Sequence, residues 1–106
     1  MNHCHFIGKF THNPKLEKGG EVNKTVFELA LTRKFKKANG ELGRQTNYIL
    51  CEAWASGAEV IVRNFKEGDT IVIHGEARSL DDDSIIFRVK EFDFCSQHDS
   101  IEVVSV

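Results

Sequence analysis

Two apolar-rich segments flank a basic stretch in the first half of the chain, and this arrangement predicts a long β-hairpin. In residues 26–35 and again in residues 47–54, apolar side chains tend to occupy every second position. That is the period of a strand with one buried face. In the first segment the alternating residues are Phe27, Leu29 and Leu31. Asn39-Gly40 lies between the segments, and this dipeptide tolerates the positive φ that closes hairpins.

The stretch between the segments is too long for a minimal turn, so we expect the strands to continue past the core as an exposed arm. Only one carboxylate, Glu41, lies among its charges. Its cations are Arg33, Lys34, Lys36, Lys37 and Arg44. Phe35 lies among these cations, and Tyr48 follows on the returning strand. Cations among exposed rings suit a flexible polyanion whose bases have flat faces, which is single-stranded nucleic acid.

Three aromatic residues, Phe35, Tyr48 and Trp54, are the candidate stacking residues. Burying Phe35 would draw its charged neighbours toward the core at a high free-energy cost. Tyr48 and Trp54 share the parity of Glu52, which we take as the outward face of the strand. The alternative is that the rings cap the ends of a barrel and that the cations form an ordinary solvated hairpin.

The rest of the chain supplies three more strands and one helix. Alternation predicts strands over residues 3–11, 70–79 and 84–90, the last extending as far as 94. Gly8 and Gly75 lie in mid-strand and suggest bends. Residues 55–65 have the apolar spacing of a short helix, and Pro14 and Gly19-Gly20 mark a loop.

Five strands with one helix between the third and fourth is the order of an all-β OB-fold, a Greek-key barrel. Strand count alone admits other small barrels, and the helix position and the bend glycines narrow the choice. We expect the domain to span residues 1–95, followed by a short tail over residues 96–106.

The net charge of −2 over 106 residues argues against a polyanion ligand, but the charge is unevenly distributed. Residues 1–50 carry nine Lys and Arg against four Asp and Glu, whereas residues 51–106 carry five against twelve. A domain with one basic region can bind a polyanion while its remaining surface stays acidic. Because the sequence has no long apolar run and no signal-peptide pattern, we expect a cytoplasmic protein without a membrane span.

Motifs for catalysis or for a cofactor are missing from the sequence, so we expect no enzyme activity and no cofactor. It contains no phosphate-cradling glycine motif and no nucleophile elbow. We interpret the three consecutive acidic residues 81–83 as the solvated tip of a loop rather than as a nuclease site. His3 and His5 share a strand face but are too few for a closed metal site. The three cysteines are expected to be small buried thiols.

Four segments resemble, in order, the single-stranded-DNA-binding proteins of bacteria and their phages. They are MNHCHFIGKFTHNP, VFELALTRKF, NGELGRQTNYILCEAW and AEVIVRNFKEGDTIVIHGEAR. The resemblance runs from Asn2 to about Phe94. It implies an OB barrel around which DNA wraps by stacking on aromatic residues of the second and third strands. It also implies a homo-oligomer, most often a tetramer, with a dimer as the alternative.

By position, Phe35, Tyr48 and Trp54 match three stacking sites of that family. Lys34 and Arg78 fall where its members often carry a cation. The hairpin around residues 81–83 departs from the family because it is short, acidic and without an aromatic residue. The family's Gly/Pro/Gln-rich tail and its acidic, Phe-ended tip, which recruits other proteins, are also absent from the sequence, so we do not expect such recruitment.

These features predict sequence-independent binding and protection of single-stranded DNA in replication, recombination and repair. Bases would stack on the three rings, and the arm cations together with Arg78 would neutralise phosphates. Two alternatives remain. One is a tail-less primosome-type protein that binds single strands and replication partners. The other is an OB module for protein–protein contact, whose basic hairpin docks an acidic partner.

Overall fold

The computed structural model describes residues 1–95, which form six strands and one helix. In chain order these are β1 (Cys4–Phe10), β2 (Glu17–Gly19), β3 (Val22–Lys36), β4 (Leu42–Trp54), α1 (Ala55–Asn64), β5 (Thr70–Ser79) and β6 (Ile85–Phe94). The tail expected over residues 96–106 lies outside the described residues.

The strands form one sheet in the order β1-β5-β6-β4-β3-β2, and β1 also pairs with β3. This second pairing, which sets Lys9 opposite Ala30 and Phe10 opposite Leu29, closes the sheet into a barrel. β4 and β6 are parallel, and α1 connects β4 to β5. The predicted five-stranded OB-fold barrel is confirmed, with β1, β3, β4, β5 and β6 as its five strands.

The short strand β2 lies where the sequence predicted only a loop. It pairs antiparallel with the start of β3, with Glu17 opposite Lys24 and Gly19 opposite Val22. Only two residues close this hairpin, and the first of them, Gly20, has a φ of +75°. Tight hairpin turns require such a φ, which glycine adopts without strain. Gly19 therefore ends β2, and Gly20 begins the turn into β3.

Gly8 and Gly75 allow two close approaches between strands. A Cβ at Gly75 would lie 2.0 Å from the carbonyl oxygen of Arg88, and the register of β5 with β6 shifts at this position. The shift is a β-bulge, and a bulge bends a strand as the mid-strand glycine suggested. A Cβ at Gly8 would lie 2.8 Å from Cδ2 of Leu31, so Gly8 lets β1 pass close to β3.

A set of packed rings ties the end of the helix to the first and last strands. α1 packs against β3 and β4 and buries Ala58 and Ile61. Immediately after the helix, the buried ring of Phe65 stacks on Phe10 and Phe94, with centroid distances of 5.3 Å and 4.9 Å. Large buried rings dominate the energetics of small cores, so this stack anchors α1 to the barrel.

Thr25 in β3 offers a test of core packing. It is fully buried, and its Oγ1 has no hydrogen-bond partner among the described residues. Thr25→Val keeps the shape and removes an unsatisfied polar group, so we expect the free energy of unfolding to rise by about 1 kcal/mol. Urea unfolding followed by circular dichroism measures this change. Thr25→Ala, which also leaves a cavity, should not stabilise the protein, and a destabilised valine variant would contradict the prediction.

The cysteines differ in burial, and their reactivity should differ accordingly. Cys51 is buried as expected, but Cys4 and Cys95 are only half-buried. Burial raises the pKa of the Cys51 thiol to about 12, so at pH 8 only about one Cys51 in ten thousand is the reactive thiolate. A thiol reagent should therefore modify two cysteines quickly in the folded protein and the third only on unfolding. Cys51→Ala should abolish the slow modification and leave the two fast ones unchanged. Modification of all three cysteines at the same rate in the folded protein would contradict the prediction.

Candidate nucleic-acid interface

The β3–β4 hairpin extends well past the core as a two-stranded arm. The two strands contain 15 and 13 residues and remain paired as far as Lys36 opposite Leu42. Residues 32–36 of β3 and 42–46 of β4 form the arm, which is about 17 Å long at the rise of a β-strand. At its tip the backbone N–H of Lys37 donates to the carbonyl of Glu41 over 2.8 Å, and Gly40 has a φ of +87°. The expected arm and its turn glycine are therefore both present.

The strand register divides the predicted site residues between two faces of the hairpin. Paired residues of an antiparallel ladder point to the same face. One face carries the pairs Lys24–Trp54, Ala30–Tyr48, Lys34–Arg44 and Lys36–Leu42. The opposite face carries the pairs Arg33–Gln45 and Phe35–Gly43. Tyr48 and Trp54 therefore share a face, and Phe35 lies on the other.

Phe35 is half-buried because its ring covers the backbone of the strand beside it. A Cβ at Gly43 would lie 2.6 Å from Cζ of Phe35, so only a glycine leaves room for the ring. The guanidinium carbon of Arg33 lies 5.7 Å from the ring centroid, and Nε of Arg33 donates to Oε1 of Gln45 over 3.3 Å. The arm thus holds the ring in a fixed position with one side covered.

A row of exposed apolar side chains follows the outward face of β4. Tyr48, Leu50 and Trp54 are 63%, 40% and 37% exposed. Trp54 lies six positions after Tyr48, and six positions span about 20 Å along a strand. The row continues into the arm through Arg44, so rings and cations form one continuous surface.

Two cations flank Trp54 at the end of β4. Nζ of Lys24 lies 5.2 Å from the ring centroid, and the guanidinium carbon of Arg88 lies 5.3 Å from it. Both distances are in the range of cation–π attraction. The sequence did not identify Lys24 or Arg88 as site residues. The register of the β3–β4 hairpin sets Lys24 opposite Trp54, and the pairing of β6 with β4 brings Arg88 to the same ring.

Glu52 shares the outward parity of Trp54, but the expectation that it faces solvent is wrong. It is only 4% exposed. Its Oε2 accepts hydrogen bonds from Nη1 of Arg78 at 2.5 Å and from Nε of Arg88 at 3.2 Å. β6 pairs with β4 at this point and sets Arg88 directly opposite Glu52, so the neighbouring strand covers the carboxylate.

Five of the six predicted cations lie on the arm or at its tip. Lys36, Lys37 and Arg44 are exposed, as is Arg33, and Lys34 is half-buried. Lys34 lies directly opposite Arg44, so two cations lie side by side on one face of the arm. Arg78, by contrast, lies on β5 beside Glu52 and belongs to the Trp54 end of the surface.

Within residues 1–95, no three or more His, Cys, Asp or Glu side chains are placed together to hold a metal ion. The ring of His5 instead contacts His74 of β5 edge-on, with a centroid distance of 4.4 Å. Nor does the described part of the chain contain a helix long and apolar enough to cross a membrane.

The closed barrel, the helix between β4 and β5 and the row of rings and cations define an OB-fold protein with a surface suited to single strands. Residues 1–84 match the model of the Single-strand binding protein family. The chain therefore belongs to that family, and this membership agrees with the expectation that it is not an enzyme.

Individual relatives support this assignment. Single-stranded DNA-binding protein 1 of Lactococcus lactis is 35% identical over 81 residues, which are 74% of this chain and 52% of the relative. Single-stranded DNA-binding protein 2 of Listeria monocytogenes is 30% identical over 80 residues, 74% of this chain and 49% of the relative. The chain thus spans about half the length of these curated relatives.

Solved structures share the fold at low sequence identity. The small single-stranded DNA-binding protein from Streptomyces coelicolor superposes with a TM-score of 0.77 at 16% identity, covering 89% of this chain and 92% of that one. A deletion mutant of the single-stranded DNA binding protein from Thermus aquaticus superposes with a TM-score of 0.76 at 19% identity, covering 91% of this chain and 51% of that one.

Proposed function

We propose that this protein binds single-stranded DNA with little sequence preference and shields it during DNA replication, recombination and repair. The observation that carries the proposal is the continuous surface of exposed rings and cations along the outward face of β4 and the arm. The names of the relatives, single-stranded DNA-binding proteins, support the same ligand.

Stacking of bases supplies the part of the affinity that does not depend on sequence, since every base has a π-face. Tyr48 and Trp54 offer rings on one face of the hairpin, and Phe35 offers a ring on the other. A strand that stacks on all three therefore passes around the edge or the tip of the arm. Each stacked base contributes about 1–3 kcal/mol.

Phosphate neutralisation supplies the rest of the affinity. Lys34 and Arg44 lie opposite each other across the arm, so both side chains can reach the same phosphate. The other phosphate-binding residues are Arg33, Lys36, Lys37 and Arg78. Residues 32–46 contain five cations and one carboxylate, Glu41, so this segment carries a net positive charge.

We also propose that the protein is a cytoplasmic homo-oligomer, a tetramer or a dimer. Along Cys4 to Gly8, β1 is paired with β5 and has no second partner strand among the described residues. An unpaired strand edge can extend its ladder with an edge from another chain, and a second copy would supply such an edge.

Titration with oligo(dT) tests the proposed site directly. Because Trp54 is the only tryptophan, its fluorescence reports that ring alone, and we expect strong quenching on binding. The logarithm of the binding constant should fall with the logarithm of salt concentration, with a slope of about −0.7 per phosphate neutralised. Absence of binding at low salt would reject the proposal and favour a protein-docking role for the basic arm. Binding without quenching would remove Trp54 from the site.

Truncation of the other two rings tests their contribution. Tyr48→Ala and Phe35→Ala should each weaken binding by about 1–3 kcal/mol, equally for oligonucleotides of different sequence. Leu42→Ala is the matched control, because Leu42 is a 69% exposed apolar residue on the same arm without a ring. It should leave the affinity unchanged. A loss confined to one base sequence would contradict sequence-independent stacking.

A further inference from the structure

Glu52 is a buried carboxylate at the centre of the proposed binding surface, and the proposed function gives it no role. It lies two residues before Trp54 on the same parity of β4. Both of its hydrogen-bond donors, Arg78 and Arg88, use the same oxygen, Oε2. Arg88 also contacts the Trp54 ring. The carboxylate is therefore linked to the ring through one arginine.

The three side chains together carry a net charge of +1, because one carboxylate is shared between two guanidinium groups. The carboxylate is buried, but the side chains of Arg78 and Arg88 are 39% and 30% exposed. A guanidinium has five N–H donors, so each arginine keeps donors that can reach a ligand. A phosphate next to a base on Trp54 meets arginines that already have an anionic partner.

We propose that Glu52 is a positioning residue that competes with DNA phosphate for Arg78 and Arg88, and so limits the number of phosphates neutralised beside Trp54. This inference rests on the proposed function. Glu52 itself does not touch the DNA. It acts through the two arginines, by holding them toward the barrel and by cancelling one of their two charges.

Glu52→Gln keeps the size of the side chain and removes the competing charge. We expect this variant to bind oligo(dT) about two- to fivefold more tightly at low salt, the effect of one half-exposed ion pair. The salt slope should become steeper by about 0.7 for each arginine released to a phosphate. Quenching of Trp54 at saturation should stay as in the unmodified protein, because the ring is unchanged.

Glu76→Gln is the matched control. Glu76 lies opposite Arg88 in the β5–β6 ladder, but its carboxylate pairs with Lys90 at 3.6 Å. The Glu76→Gln variant also loses one negative charge in this region but keeps the contacts of Glu52. The salt slope of its DNA binding should therefore match that of the unmodified protein. If Glu52→Gln and Glu76→Gln changed the affinity and the salt slope equally, Glu52 would act only through the net charge of the protein, and the proposal would be overturned.

Glu52→Asp keeps the charge and withdraws the carboxylate by one methylene. The Glu52→Asp variant should bind oligo(dT) with an affinity between those of the unmodified protein and Glu52→Gln. If circular dichroism shows the glutamine variant to be unfolded, the aspartate variant tests the proposal in its place. Unchanged or weaker binding with an unchanged salt slope, in whichever variant folds, would mean that Glu52 serves the fold alone. Failure of the unmodified protein to bind oligo(dT) would instead reject the proposed function.

Discussion

The close approach of β5 and β6 at Gly75 connects the closure of the barrel to the binding surface. The carbonyl of Arg88 lies where the Cβ of any other residue would be, and the register of the two strands shifts there. The bulge sharpens the bend of the sheet, which carries β5 around to pair with β1. The same backbone carries Arg88, whose side chain reaches both Glu52 and Trp54. A side chain at position 75 would displace this strand and the site with it.

The arm concentrates positive charge in a protein whose net charge is negative. Ladder hydrogen bonds and the Phe35 ring over Gly43 stabilise it, since residues 32–36 contribute nothing to the buried core. Such a two-stranded extension is only marginally stable alone. The long pairing with the barrel portion of β3 and β4 makes the arm possible. Stability is therefore supplied by one end of the hairpin and binding charge by the other.

Local patterns were sufficient to predict the barrel strands, the helix and the turn at Gly40. Each strand and the helix show a regular spacing of apolar residues within their own segment, and the turn contains a glycine that tolerates positive φ. The strand β2 was missed because three residues are too few to show a period. The separation of Phe35 from Tyr48 was missed for another reason. Phe35 shares the parity of Phe27 and Leu29, so the alternation of β3 by itself places Phe35 on the opposite face from Tyr48. The cations around Phe35 were instead taken as the sign that its ring is exposed.

The alternation of residues along β4 predicts the direction of the Glu52 side chain but not its burial. Parity correctly places the side chain away from the barrel interior, but exposure also depends on what the neighbouring strand provides. β6 reaches β4 through a parallel pairing more than thirty residues away in sequence, and it supplies an arginine opposite the carboxylate. The same long-range pairing explains why Arg88 was missed, whereas Lys24 is placed at Trp54 by the register of the β3–β4 hairpin. Tyr48 and Trp54 could be found from the alternation of their own strand.

The cluster around Trp54 combines two requirements that oppose each other. Lys24 and Arg88 lie at the Trp54 ring and Arg78 lies beside Glu52, and Glu52 reduces the repulsion between the two arginines in the unbound protein. The same carboxylate weakens the attraction for a phosphate, since the guanidinium groups already have a charge-assisted partner. In the proposed complex, a departing strand leaves both arginines paired with Glu52 rather than unpaired at a half-buried site. Release is then less costly than from a bare cluster of cations.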